Sequence, residues 1–162
     1  VEVLWSPWRH EYINAIGSEN PATSCIFCAA EQHPADDERN FVIHRGENNF
    51  VILNRYPYIS GHLMVAPYQH VARLSAAAKQ TTDEMMDLVK RCEQALREVY
   101  KPEGFNVGMN IGRVAGAGVA DHIHMHILPR WGADTNFMST VGDTRVLPED
   151  LQMTYQKLRG KI

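Results

Sequence analysis

Three histidines at every second position, His122, His124 and His126, separated by Ile123 and Met125 and followed by Ile127, constrain this chain more than any other feature. A period of two is that of a half-buried strand. Alternate residues of a strand share one face at steps of about 7 Å, so three imidazoles line one surface while Ile123, Met125 and Ile127 enter a core. A helix would scatter them around its axis. Upstream, Phe105, Val107, Met109 and Ile111 alternate with Asn106, Gly108 and Asn110, predicting a second strand of the same kind, and Pro129 is expected to stop the histidine strand. Between the two strands, the run from Gly112 to Gly118 is rich in glycine. A plain hairpin loop accounts for such a run. So does a cradle in which successive backbone N–H groups converge on an anion with no side chain in the way. Its place directly before three same-face histidines favours a phosphate cradle built from Gly116, Ala117 and Gly118.

Further strands are expected at about 41–45, 49–54 and 62–66, the first two joined by the turn signal Gly46-Glu47-Asn48. Glu31 to Asn40, polar and acidic with Pro34, reads as a loop. Thr81 with Glu84 forms a capping box, and Met85, Leu88, Val89, Cys92, Leu96 and Val99 then recur at helical spacing up to a stop at Lys101-Pro102. Cys92 sits on the apolar stripe and is expected to be a small core residue. Strands, one long helix, then strands again imply an α+β domain with a mainly antiparallel sheet. At 162 residues the chain is expected to be one domain: an aromatic opening over 1–24 with Trp5, Trp8 and Tyr12, a core over 25–128, and a segment over 129–162 that closes the site. With 16 basic against 19 acidic residues, it has neither the charge of a nucleic-acid coat nor that of a membrane patch. No apolar run is long enough for a membrane span.

The motifs His122 to Leu128, Leu53 to His70 with its Asn54, Gly61-His62 and Pro67-Tyr68-Gln69-His70, Leu128 to Met138, and Leu4 to Ile13 together resemble the histidine triad (HIT) superfamily, in particular its bacterial diadenosine tetraphosphate (Ap4A) phosphorylase-like branch. The resemblance covers nearly the whole chain. It implies a HIT-like fold, a five-stranded and mainly antiparallel sheet with one long helix and shorter helical segments, in a homodimer. It implies His124 as a nucleophile that forms a nucleotidyl-histidine intermediate, with His126 stabilising charge as the leaving group departs and His62 as an additional active-site histidine. Asn54 and Asn110 match polar residues near the phosphates. Trp131 and Asn136, after the triad, are expected to close the substrate pocket, Trp131 by stacking on a base, with subunit packing as its equal alternative.

Cys25-Ile26-Phe27-Cys28 suits zinc or redox chemistry, and spacing alone does not choose between them. The resemblance adds His70 and His122, giving a closed set of two thiolates and two imidazoles for a structural zinc, with no organic cofactor. His10, His33 and His44 match nothing and are expected to be solvated. One departure stands out: Ala117-Gly118 occupies the place where many members carry a glutamine or glycine followed by a hydroxyl residue that can contact phosphate. Asp121, on the opposite strand face, is not expected to replace it.

The expected activity is nucleotidyl transfer from the α-phosphate of a small dinucleoside polyphosphate, with phosphorolysis of Ap4A to ATP and ADP favoured by the branch. Hydrolysis, with water in place of inorganic phosphate, and cleavage of nucleoside phosphoramidates are the alternatives. Two readings of other classes are a metalloenzyme using the three histidines as ligands and a nucleotide-binding protein without turnover. Three cysteines suit a reducing compartment and a cytoplasmic protein, with no nucleic-acid or membrane partner. That the chain opens at Val1 leaves room for a removed N-terminal segment and qualifies the assignment.

Overall fold

A computed structural model describes residues 25–132, 134–135 and 147–162. The expectations for the aromatic opening, His10 and Asn136 lie outside the described residues. Five strands, β1 (Val42–Arg45), β2 (Asn49–Leu53), β3 (Leu63–Pro67), β4 (Gly104–Gly108) and β5 (Met125–Arg130), form one sheet in the order β1-β2-β3-β5-β4. Every pairing is antiparallel. Among the described residues there are four α-helices: α1 (Ile26–Gln32), α2 (Asp37–Asn40), α3 (Lys79–Tyr100) and α4 (Leu151–Leu158). The α+β architecture expected from the sequence is the one observed, and no described helix is long and apolar enough to cross a membrane.

Period two in the central strands divides two cores. Val51 and Leu53 of β2, Leu63 and Val65 of β3 and Ile127 of β5 face α3, where Met85, Leu88, Val89, Cys92 and Leu96 meet them and Tyr155, Leu158 and Ile162 close the cluster. Phe50 and Ile52, with Met64 and Ala66, face the other way against Phe27 and Ala30 of α1. Burial on both faces explains why β2 and β3 read as unbroken apolar runs. Each fully buried large side chain contributes about 1.5–3 kcal/mol. Cys92 is fully buried, and burial pushes its thiol up to about 12. β4 is an edge strand, which is why Val107, 47% exposed, and Ile111 beyond it are uncovered despite their alternation.

Three local expectations are corrected. First, the histidine strand begins only at Met125, and Pro129 lies inside it. The carbonyl of Arg130 accepts from the N–H of Glu103 beside β4, so the preceding residue's backbone points toward β3, whose pairing with β5 ends at Leu63 opposite Ile127. A missing N–H costs nothing there. Second, α3 starts at Lys79 with Ala78 at its N-cap and no side-chain cap, so Thr81 and Glu84 form no capping box. Glu84 instead accepts from the N–H groups of Glu47 and Asn48 and from Asn49 Nδ2, at 2.6–2.7 Å. The hairpin tip offers it three donors where a capping box offers one. Third, residues 31–40 are helical turns, not an open loop. Arg45 holds them by donating to both carboxylate oxygens of Asp37 and to the Ala30 carbonyl. The helix end at Lys101-Pro102 is as expected, with Lys101 in a left-handed conformation at φ +48° and its N–H on the Arg97 carbonyl.

Candidate active site

The three triad histidines lie on the face away from α3, and all are buried: His122 at 1%, His124 at 4% and His126 at 8% exposure. His122 and His124 sit in the extended approach to β5, whose main chain is held by Ile123 N–H on the Val71 carbonyl. His62 stands at the foot of β3, just after Gly61. A left-handed φ of +80° selects glycine at that position, and a Cβ would also lie 3.1–3.3 Å from Leu96, Pro129 and Tyr100.

Hydrogen-bond partners assign a tautomer to each ring, because a carbonyl can only accept and a backbone N–H can only donate. His124 Nδ1 is 2.9 Å from the His122 carbonyl, so Nδ1 carries the proton and Nε2 the lone pair. His62 Nδ1 accepts from Tyr58 N–H at 3.2 Å, with Asn54 Nδ2 at 3.4 Å, so its proton is on Nε2. That Nε2–H donates to His126 Nδ1 at 2.9 Å, which leaves His126 protonated on Nε2. Adjacent rings, 4.8 Å apart and nearly perpendicular, thus carry a nucleophilic nitrogen and a proton donor. Burial holds His124 below the ordinary imidazole value and keeps it neutral at pH 7.

His122 is the mirror case. Its Nε2–H donates to the Pro67 carbonyl at 2.8 Å, leaving the Nδ1 lone pair toward sulfur: Cys25 Sγ at 3.4 Å and Cys28 Sγ at 3.7 Å. Cys28 Sγ also lies 3.1 Å from His70 Nδ1, and the four donor atoms all fall within 4.8 Å of one another. Tetrahedral zinc with bonds of about 2.0–2.3 Å requires donor separations of roughly 3.3–3.8 Å, so the set fits such an ion with small adjustments. Burial and the neighbouring Cys25 push the Cys28 thiol up to about 11. A cation among these donors would reverse that preference. Burial lowers His122 to about 4, so it is already in the neutral form that a metal needs.

The remaining expected site residues are more dispersed. Asn54 Oδ1 accepts from Tyr56 N–H while its amide approaches His62. Asn110 is half-buried just beyond β4. In the glycine-rich loop, Ala115 and Ala117 N–H reach the Gly112 carbonyl and Gly116 N–H reaches that of Arg113. Those three groups close the loop on itself, so a phosphate cradle here would draw on the N–H groups from Gly118 onward. Trp131 packs edge-on against Tyr100, 6.5 Å between centroids. His44, expected to be solvated, is half-buried beside Arg91, and burial followed by that charge lowers its pKa. Residues the sequence reading passed over include Phe27, whose ring lies 5.0 Å from His122 and 4.9 Å from His124, and Tyr58, 4.7 Å from His62. The one available signal for Phe27 was its place between two candidate ligands.

The profile of the HIT domain matches residues 36–132. An Ap4A phosphorylase from Mycobacterium tuberculosis is 36% identical over 158 residues, covering 96% of this chain and 81% of its own. The chain belongs to the HIT domain family. An adenosine 5'-monophosphoramidase from Schizosaccharomyces pombe is 27% identical over 139 residues, covering 86% and 98% of the two chains. Among solved structures, a Zn-bound histidine triad family protein from Mycobacterium smegmatis superposes with a TM-score of 0.68 at 29% identity, covering 88% of this chain and 94% of that one. Within the HIT match fall His62, His70 and the triad, whereas Cys25 and Cys28 precede it.

Proposed function

We propose that this HIT protein is a nucleotidyl transferase acting at the α-phosphate of a dinucleoside polyphosphate, with Ap4A and inorganic phosphate giving ATP and ADP. The observation that carries the reading is the pair of opposite tautomers on neighbouring rings, His124 with its lone pair on Nε2 and His126 with its proton there. His124 Nε2 attacks the α-phosphorus, forming a P–N bond as the bridging P–O bond breaks. His126 Nε2–H donates to the departing oxygen. Phosphate then attacks the nucleotidyl-histidine and the P–N bond returns its electrons to the ring. His62 keeps His126 in the donating tautomer, Asn54 and Asn110 are assigned to the phosphates, and the N–H groups of the loop from Gly118 onward to their oxygens, those of Gly116 and Ala117 being engaged within the loop. The 36% identity to an Ap4A phosphorylase supports the substrate.

Hydrolysis of dinucleoside polyphosphates or of phosphoramidates is the second reading. It is favoured by the missing hydroxyl at Ala117-Gly118 and by the likeness to a monophosphoramidase. Against a catalytic metal held by the triad, His122 turns Nδ1 toward the cysteines, and the metal-competent group among the described residues does not include His124 or His126. Cys25, Cys28, His70 and His122 would hold a zinc that fixes the approach to β5 and has no open position for substrate. The uncovered edge strand with Val107, and Ile111 beyond it, supports a homodimer, and three cysteines, an odd number too few for a disulfide scaffold, support a reducing, cytoplasmic setting.

The deciding experiment is chromatography of products from Ap4A with and without inorganic phosphate, with His124→Ala as the control. ATP plus ADP only with phosphate is the expected result. ATP plus AMP regardless of phosphate assigns water as acceptor, and no product from the wild type overturns the substrate.

A further inference from the structure

We infer that Phe27 is a positioning residue through which the cysteine-histidine cluster orients the His124 ring; the inference rests on the proposed role of His124. Phe27 is 1% exposed and lies on α1 between Cys25 at its N-cap and Cys28. Its ring touches His122 and His124 at 5.0 and 4.9 Å and meets Phe50 edge-on at 6.4 Å. The ring therefore contacts both a member of the metal-competent set and the proposed nucleophile.

An imidazole tied at a single point keeps a rotational freedom. The Nδ1–H bond to the His122 carbonyl fixes the tautomer of His124, but the ring can still tilt about that bond. Contacts with Phe27 at 4.9 Å and with His126 at 4.8 Å restrain that tilt and set its plane. The aim of Nε2 at phosphorus depends on that plane, and a displacement of about 1 Å costs on the order of a hundredfold in rate. Two routes thus join the cluster to His124: the main chain of His122 and the side chain of Phe27. Only the second passes through α1, which is also held by Ala30 in the second core and by Arg45 on the Ala30 carbonyl at 2.6 Å.

The test combines NMR with kinetics on Phe27→Leu and Phe27→Met, which keep an apolar side chain and remove the ring. With zinc bound, both variants are expected to lose about tenfold to a hundredfold in kcat with KM within about twofold. In ¹⁵N-histidine spectra, stripping zinc from the wild type is expected to shift His124 strongly. In the variants, stripping should add little to a shift already present. Equal shifts on stripping in wild type and variants would assign the coupling to the His122 main chain and overturn the proposal. A change in KM alone would overturn it too, making Phe27 a substrate contact. The wild type supplies an independent check if the variants do not fold: the Phe27–His124 ring NOE should weaken on stripping, and its persistence unchanged would sink the idea. Because the spectra need no turnover, an inactive result with Ap4A leaves them interpretable.

Discussion

The two ends of the histidine segment use one side chain in opposite ways. At His122, a carbonyl takes the Nε2 proton and Nδ1 is presented to two sulfurs; at His124, two residues on, a carbonyl takes the Nδ1 proton and Nε2 keeps the lone pair. Neither burial nor residue type separates them, since both are nearly inaccessible and both are lowered by burial. What separates them is which backbone oxygen each ring can reach. Main-chain geometry thus divides the segment into the end proposed to hold a metal and the end proposed to react.

If that division is correct, His124→Ala and His122→Ala fail differently. The first is expected to cost at least about 10⁴-fold in kcat, with zinc content and melting temperature unchanged, as seen by metal analysis and calorimetry. His122→Ala, or zinc removal, is expected to act on stability first. At free zinc a thousandfold above its Kd the loss is about 4 kcal/mol, or about 10 °C in Tm for a chain of this size. Equal melting temperatures for zinc-loaded and stripped protein would dissolve the comparison.

A smaller effect sharpens the reactive end. His62→Ala is expected to lower kcat about a hundredfold by freeing the tautomer of His126, while His62→Gln, whose amide can still donate, recovers part of it. Identical losses in both would mean that the Nε2–H bond does not matter. The smallest effect belongs to a region anchored by a carboxylate. Burial raises the pKa of Glu84, but the bonds from Asn49, Glu47 and Asn48 outweigh it and leave the group below the ordinary carboxylate value of 4.5. A depressed carboxylate stabilises the fold fully above that value and loses its contribution as pH falls through the folded pKa. Because Glu84 is only half-buried and partly solvent-screened, Glu84→Gln should cost only about 1 kcal/mol at pH 7. In denaturant titrations the gap should close as pH falls through the depressed pKa, below the ordinary 4.5.

Much of this was legible in the chain because it is local. Alternation set the faces of the histidines, and the 3.6-residue period set the buried stripe of α3 from Met85 to Leu96. The failures share a cause in distance along the chain. Glu84 was read as a helix cap because its nearest partner in sequence was Thr81, whereas its actual donors lie 35 to 37 residues upstream. The helical turns after Gln32 depend on Arg45, and the placement of Pro129 depends on where β3 stops pairing. His70 entered the ligand set only through family resemblance. Phe27 was missed because an aromatic beside two cysteines has no period to announce it.

Cys92 has a consequence outside the fold. With its thiol wholly enclosed in the core, it lies out of reach of a colorimetric or alkylating reagent in the native protein, whereas Cys25 and Cys28 are part-exposed. Of three sulfhydryls in the chain, only those of Cys25 and Cys28 remain to react, so a simple thiol count on native protein becomes a direct gauge of how much of a preparation has its cysteine pair occupied.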